Sequence, residues 1–342
     1  MKPAPVQDLF GPPAEPVDAP RTKPDAVLPA SASEEARQLG LLRPQALWLG
    51  TSSWHFPGWA GLVYDRMASE GVLAKSGLVA LSGHPLINAA GIDRSFYAPV
   101  PEKDYARYAA QVHEAFRFVV KGPNVVTDAF LRDPRGRALM PNENFLRVAP
   151  AVKDFVEPCI RGLGLKAGPL VFQFSPVGKG YTRDPNAFAE KLDTFLGALP
   201  HEVAGVRPLY AVEVRDPELL VPSFVNALKS HGVRYCVGFH ARMPSLKSQL
   251  PVLRALWPGP LVVRWTLHAG FGYNEAKSKY EPFNQLVDED LPTRAALADL
   301  IGKVLGAGEK VYLTANNKAE GSAPLTLMKL LQALLARGRA PG

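Results

Sequence analysis

Leu209-Tyr210-Ala211-Val212-Glu213-Val214-Arg215-Asp216 is the stretch on which the fold turns. Apolar and β-branched residues fill most of it and Pro217 ends it, the pattern of a buried strand. Glu213 and Arg215 lie two apart, so the period of two places both side chains on one face of the sheet. A carboxylate and a guanidinium on the inner face of a central strand are costly to desolvate, which points to a pair or to a working site.

Outward from that strand the chain repeats one unit, an apolar segment of strand length followed by a helical or loop segment. Strand candidates are 47–53, 91–97, 116–122, 169–175, 210–215, 235–239, 261–266 and 311–316. Helical periodicity is clearest over 102–115, 142–163, 186–199, 218–231, 293–305 and 324–337, weaker over 246–256 and ambiguous over 64–81. Strands alternating with helices imply parallel βαβ units. Eight such units fit a single (β/α)8 TIM-like barrel over 45–338, since that fold takes roughly 250 residues. A doubly wound open sheet competes, but the first strand lacks a Gly-x-Gly-x-x-Gly loop and no Gly-x-x-x-x-Gly-Lys is present.

Composition sets the outer bounds. The chain has 342 residues, 47% hydrophobic and 21% charged, as expected of a globular protein. No apolar run approaches the roughly 20 residues of a bilayer span, and no secretory signal is visible, so no membrane partner and a cytoplasmic location are expected. Cys159 and Cys236 read as buried, reduced thiols. Residues 1–44 hold nine of the 33 prolines and read as a largely disordered tail; 339–342 form a short C-terminal tail. Within the first tail, Gln7-Asp8-Leu9-Phe10 resembles peptides that dock on bacterial sliding clamps, with its Gln displaced by one position. Net charge is +7, and with five basic and six acidic residues in 1–44 the remainder carries about +8. That favours anionic ligands, nucleic acid included, although the basic residues are scattered rather than clustered.

In a barrel of this kind the active site is built at the carboxyl ends of the strands. Here those ends deliver Ser53 and Trp54, then Asp93 and Tyr97, Lys121, Gln173, Glu213 and Arg215, His240, Arg264 and His268, and finally Asn316 and Asn317. Several share parity within a strand, as Asp93 does with Ser95 and Tyr97, and Arg264 with Thr266. Since sheets buried on both faces normally read as continuous Val, Ile and Leu, this alternation indicates a polar lumen at one rim. A structural ion pair within the barrel is the plainer alternative for Glu213. Glu213, Asp93, His240 and His268 form a candidate divalent-metal set, although residues on separate strands leave no local spacing to test it. No organic cofactor motif is present, and no Gly-x-Ser-x-Gly elbow.

Leu49-Gly50-Thr51-Ser52-Ser53-Trp54 with Trp59, Gly61 and Tyr64 resembles the opening of the YecE-like family, domain of unknown function 72. The resemblance continues through Ser95-Phe96-Tyr97-Ala98-Pro99, Phe116-Arg117-Phe118 with Lys121 and Thr127, and Gly168 to Pro176. It recurs at Val212-Glu213-Val214-Arg215, Val263-Arg264 and Asn316-Asn317. It implies a TIM-like barrel and no settled activity. This chain departs from the family pattern at Gly91 and Asp93, where the pattern reads Glu and Asn. It departs again at Asp216, where the pattern carries His, and at Arg264-Trp265-Thr266-Leu267-His268 in place of Arg-x-His-Gly.

The expectation is an enzyme of hydrolase or isomerase/lyase type acting on a polar, anionic small molecule such as a sugar or phosphorylated metabolite. Glu213 serves as general acid/base oriented by Arg215, while Lys121 and Arg264 bind anionic groups and Asp93 joins them. Gln173, Asn316 and Asn317 orient the substrate. The rivals are a nucleic-acid-associated binding protein and a degenerate barrel kept as a scaffold.

Overall fold

The computed structural model of the chain describes residues 26–133, 136–240 and 243–338. Ten strands follow in chain order: β1 (Leu47–Thr51), β2 (Ala89–Ile92), β3 (Arg117–Lys121), β4 (Phe130–Arg132), β5 (Ala138–Pro141), β6 (Ala167–Phe174), β7 (Leu209–Val214), β8 (Arg234–Phe239), β9 (Leu261–Trp265) and β10 (Val311–Ala315). Eight of them are parallel and close into a barrel in the order β1-β10-β9-β8-β7-β6-β3-β2, with helices on the outside. β4 and β5 make a separate antiparallel hairpin in the loop after β3.

Alternation along the strands explains the two cores. One parity packs outward under the helices, as with Leu47, Leu49, Ile92, Phe118, Phe172, Val212 and Val263. The other parity fills the lumen with Val119, Val171, Ala211, Cys236, Val262 and Tyr312. Trp48 stacks on Tyr312 at 4.8 Å at the amino-terminal end and closes the floor. One step further along the same parity come Lys121, Gln173, Glu213 and Arg264, all buried. The hydrophobic plug below and the polar layer above are thus one alternating pattern.

Four expectations shift. The strand predicted over 91–97 stops at Ile92, and Arg94–Tyr97 forms one helical turn because Asp93 already adopts right-handed helical dihedrals. Tyr97 therefore leaves the shared parity and stands 75% exposed, while Ser95 turns back to the carbonyl of Lys121. The helix predicted over 142–163 starts only at Val148 and opens into a π turn over Val152–Val156, since Pro158 withholds the N–H that an α ladder would send to Asp154. The helix predicted over 218–231 begins at Pro222, after a separate 3-10 turn at Pro217–Leu219.

The tail is the fourth. Residues 26–44 are ordered onto the barrel: Glu34–Leu42 is a helix capped by Ser33, with Ala36 and Leu39 buried, and it packs on the helix Ala323–Gly338. Ahead of it the Leu28 N–H donates to Asp65 and the Ala30 N–H to the Val63 carbonyl. The clamp-like Gln7–Phe10 and residues 339–342 lie outside the described residues. Among the described residues no helix is long and apolar enough to cross a membrane, and both cysteines are buried and free.

Candidate active site at the carboxyl end of the barrel

The centre of the polar layer is Arg264. Its Nη1 donates to Glu213 Oε2 at 2.7 Å and to Gln173 Oε1 at 3.3 Å, and its Nη2 reaches Asp93 Oδ1 at 3.4 Å. Glu213 and Arg264 keep 3% and 6% of their side-chain surface, so the pair is dry. Burial alone would raise the Glu213 carboxyl, yet the Arg264 and Arg215 guanidinium groups outweigh it and hold the group below the usual carboxylate range. Burial likewise opposes charge on Arg264, but Glu213 and Asp93 drive its pKa upward.

Arg215, expected to orient Glu213, donates to Gln173 Oε1 at 3.4 Å and acts on Glu213 through its charge, while the group hydrogen-bonded to Glu213 is Arg264, 51 residues further along the chain. Arg264, expected to bind a ligand anion, has its fork engaged by protein carboxylates and Gln173. Glu213 is held ionised and enclosed, which suits a strut rather than a proton carrier.

Lys121 sits beside this pair at the end of β3, 9% exposed. Ser95 Oγ–H donates to its carbonyl at 2.6 Å, and the Phe96 ring covers its ammonium-bearing end with the centroid 3.3 Å from Nζ. Burial first, and then the nearby Arg264 charge, push the amine down to about 7, against weaker support from Asp93 and Glu213. It is the group of this layer that changes charge near neutral pH.

Above the layer opens a cavity of about 1100 Å³, walled by Ser53, Trp54 and His55 from the first loop, Asp93, Arg94 and Tyr97 from the second, Tyr273 and Lys277 from the region after β9, and Asn316 and Lys318 after β10. Asn316 Nδ2 donates to Ser52 Oγ at 2.7 Å, and its Oδ1 accepts from Lys318 Nζ at 3.3 Å. That Nζ lies 4.3 Å from the centre of the Tyr273 ring. Lys318, Tyr273 and Arg94 are among the wall residues that the sequence reading did not single out. The run Asn316-Asn317-Lys318 was the available signal for the first; a tyrosine on a helix beyond β9 carried none.

Other expected residues go elsewhere. Asn317 is buried and structural: its Oδ1 accepts from Trp59 Nε1 at 3.2 Å and from the Ala323 N–H at 2.8 Å, tying the first loop to the last helix. Trp54 is buried but reaches the cavity wall, its ring edge-on to Tyr108 and its carbonyl accepting from the Tyr64 hydroxyl. His268 accepts the Gly270 N–H on Nδ1 and packs against Phe271; neither it nor His240 belongs to the wall of the cavity. Asp216 caps the β6 loop by accepting the Val177 N–H at 2.7 Å, where burial raises its carboxyl. Among the described residues no three His, Cys, Asp or Glu side chains gather as metal ligands. Of the set Glu213, Asp93, His240 and His268, the two carboxylates accept from Arg264 and His268 Nδ1 accepts from the Gly270 N–H.

Gly91 stands at a close approach of two neighbouring strands. A Cβ there would stand 2.6 Å from the Ser52 carbonyl oxygen, so β1 and β2 approach too closely for any side chain. Gly91→Ala is expected to cost about 1–3 kcal/mol, read as a lower urea midpoint with an unchanged slope. A midpoint equal to wild type would refute the close approach.

A parallel eight-stranded barrel with a charged layer beneath an open carboxyl-end cavity defines a (β/α)8 TIM-like barrel. A family model, "Protein of unknown function DUF72", matches residues 48–341, and the chain belongs to that family. Among solved structures, a DUF72 family protein from Thermotoga maritima aligns with a TM-score of 0.54 at 17% identity, covering 84% of this chain and 99% of that one. One from Enterococcus faecalis aligns at 0.53 and 15%, covering 84% and 97%. These likenesses carry the fold alone. No curated protein matches the chain.

Proposed function

We propose that this barrel is an enzyme for a small anionic metabolite, with Lys121 as its acid/base group and Glu213–Arg264 as the fixed frame around it. The observation that carries the reading is Lys121 itself, a nearly enclosed amine poised at about 7. A general base works best when its pKa lies near the working pH, and desolvation is the usual way to bring a lysine there. Arg264 sets the position of Glu213 and Asp93 and keeps a positive field on the amine, so protons leave it readily.

The ligand's anionic group is held at the wall. Lys318 is buried, aimed by Asn316 and backed by Tyr273, and Lys75 and Arg94 stand on the same cavity. Tyr97 and Tyr273, 75% and 55% exposed, offer flat faces at the entrance, so nucleotides belong with sugar phosphates and carboxylates in any ligand panel.

Titration calorimetry with such a panel tests this. At least one phosphorylated or carboxylated metabolite is expected to bind, and Lys318→Gln is expected to weaken it by about tenfold, the usual worth of a hydrogen bond to a charged group. A panel without any binder at millimolar concentration, or a Lys318→Gln chain that binds unchanged, would overturn the proposal and leave the scaffold reading.

A further inference from the structure

Resting on that reading, we propose that the ligand of the cavity is a ribonucleotide, held by its phosphate on Lys318, its ribose diol on Asp93 and its base against Tyr97.

Size narrows the choice first. The cavity of about 1100 Å³ matches the roughly 300–1,000 Å³ that houses ligands of drug size, and a three-carbon phosphate would leave most of it to water. Its wall is also chemically divided. Lys318, 4% exposed, donates to Asn316 Oδ1 and belongs to no ion pair among the described residues, so its remaining N–H groups are open to an anion from the cavity. Arg94 on the same wall is already held by Asp104 at 3.3 Å. The phosphate therefore belongs on Lys318, just after β10.

Asp93 follows β2, and β1 alone separates β2 from β10, so the two strands lie roughly 10 Å apart. That is about the span of a nucleoside monophosphate. Asp93 Oδ1 accepts from Arg264, which holds the group in place, whereas Oδ2 takes no hydrogen bond among the described residues and the side chain keeps 39% of its surface. A carboxylate on the wall repels a phosphate and accepts from hydroxyl groups. A vicinal diol offers it two donors at once, which is how a carboxylate reads ribose in dinucleotide sites.

The base has its platform at the mouth. Tyr97 is 75% exposed; Phe96 meets it edge to face at 5.1 Å, and no ring stacks on it among the described residues. Its hydroxyl is near enough to Asp93 and Tyr273 for each to bear on its ionisation, so the ring leans over the cavity that all three line. Stacking a base on such a face is worth about tenfold in affinity. A sugar phosphate would leave Tyr97 unused and a small carboxylate would leave Asp93 unused, whereas a ribonucleotide engages all three groups.

The test is titration calorimetry on the full chain at pH 7 with AMP, GMP, CMP and UMP, set beside their 2′-deoxy forms, ribose 5-phosphate, pyruvate and a single-stranded decanucleotide. At least one ribonucleotide is expected to bind about tenfold more tightly than ribose 5-phosphate, and its 2′-deoxy form about tenfold more weakly than itself, since that form gives Asp93 one donor fewer. Tyr97→Ser is expected to lower the ribonucleotide to the level of ribose 5-phosphate and to leave ribose 5-phosphate unchanged, while Tyr97→Phe binds both as wild type does. Both variants are expected to keep the wild-type urea midpoint, because the side chain is exposed. Ribose 5-phosphate or pyruvate binding as tightly as every nucleotide, or a Tyr97→Ser chain that binds the ribonucleotide unchanged, overturns the ribonucleotide and leaves the anionic-metabolite reading standing. A decanucleotide that binds more than about tenfold above every mononucleotide overturns it in favour of a nucleic-acid groove. Absence of any binding at millimolar concentration removes both readings together.

Discussion

Arg264→Met is expected to destabilise the chain by about 3–5 kcal/mol, a large part of the 5–15 kcal/mol that holds a typical domain together. The substitution fills the place of the arginine stem with the apolar atoms of methionine, which lacks the guanidinium fork. What it removes is the partner of a carboxylate with 3% of its side chain exposed. Glu213 then faces three outcomes: to stay charged without a fork, to take up a proton, or to draw Lys121 into a new pair. Each costs something, and the third sets the lower end of the range, because losing the Arg264 charge lets Lys121 hold its proton more firmly. The measurement is urea unfolding at pH 7. A companion chain with Glu213→Leu as well is expected to recover most of the loss, since removing both members of a dry pair is far milder than removing one. If Arg264→Met unfolds within about 1 kcal/mol of wild type, the pair is not the strut described.

How far the site could be read from the sequence follows from the same pair. Alternation placed Glu213, Gln173, Lys121 and Arg264 on the lumen face, because period two is a local property of each strand. Which of them touch is not local. Arg264 on β9 meets Glu213 on β7 across the intervening β8, whereas Arg215, the nearer residue in sequence, donates to Gln173 and reaches Glu213 by charge. Asp93 kept its inward place although its strand had ended, whereas Tyr97, four residues on, was lost to a helical turn. Lys318 stood in plain sight after Asn316 and Asn317, but nothing local tells that Asn317 turns into the wall while Lys318 turns to the cavity. The helix Glu34–Leu42 had its signal in Ser33-Glu34-Glu35, a cap followed by acidic residues, and the prolines before it masked that signal. The proton affinity of Lys121 had no sequence signal, since it depends on burial and on charges carried by three other segments.

That affinity has a consequence for stability whose sign is fixed. Lys121→Met is expected to be more stable than wild type by about 3–5 kcal/mol at pH 6, with the difference shrinking toward zero near pH 10, since each tenfold change in proton affinity is worth about 1.4 kcal/mol. The unfolded chain holds the Lys121 proton up to the ordinary lysine value of 10.5, whereas the folded chain releases it at about 7. Between those values the unfolded state binds more protons, so raising the pH favours the folded wild type. Below about 7 both states are charged, and the folded one bears the whole cost of a cation enclosed beside Arg264 and Arg215. Methionine is one atom shorter, flexible and uncharged, so it avoids that cost at every pH with little loss of packing. Urea midpoints of both chains at pH 6, 8 and 10 decide the matter, because every other titrating group is common to the two and cancels in the difference. A gap that stays constant from pH 6 to 10 would mean that the amine keeps its ordinary affinity in the fold. The enzyme reading would then lose the group it depends on, while Glu213–Arg264 would remain as a purely structural pair.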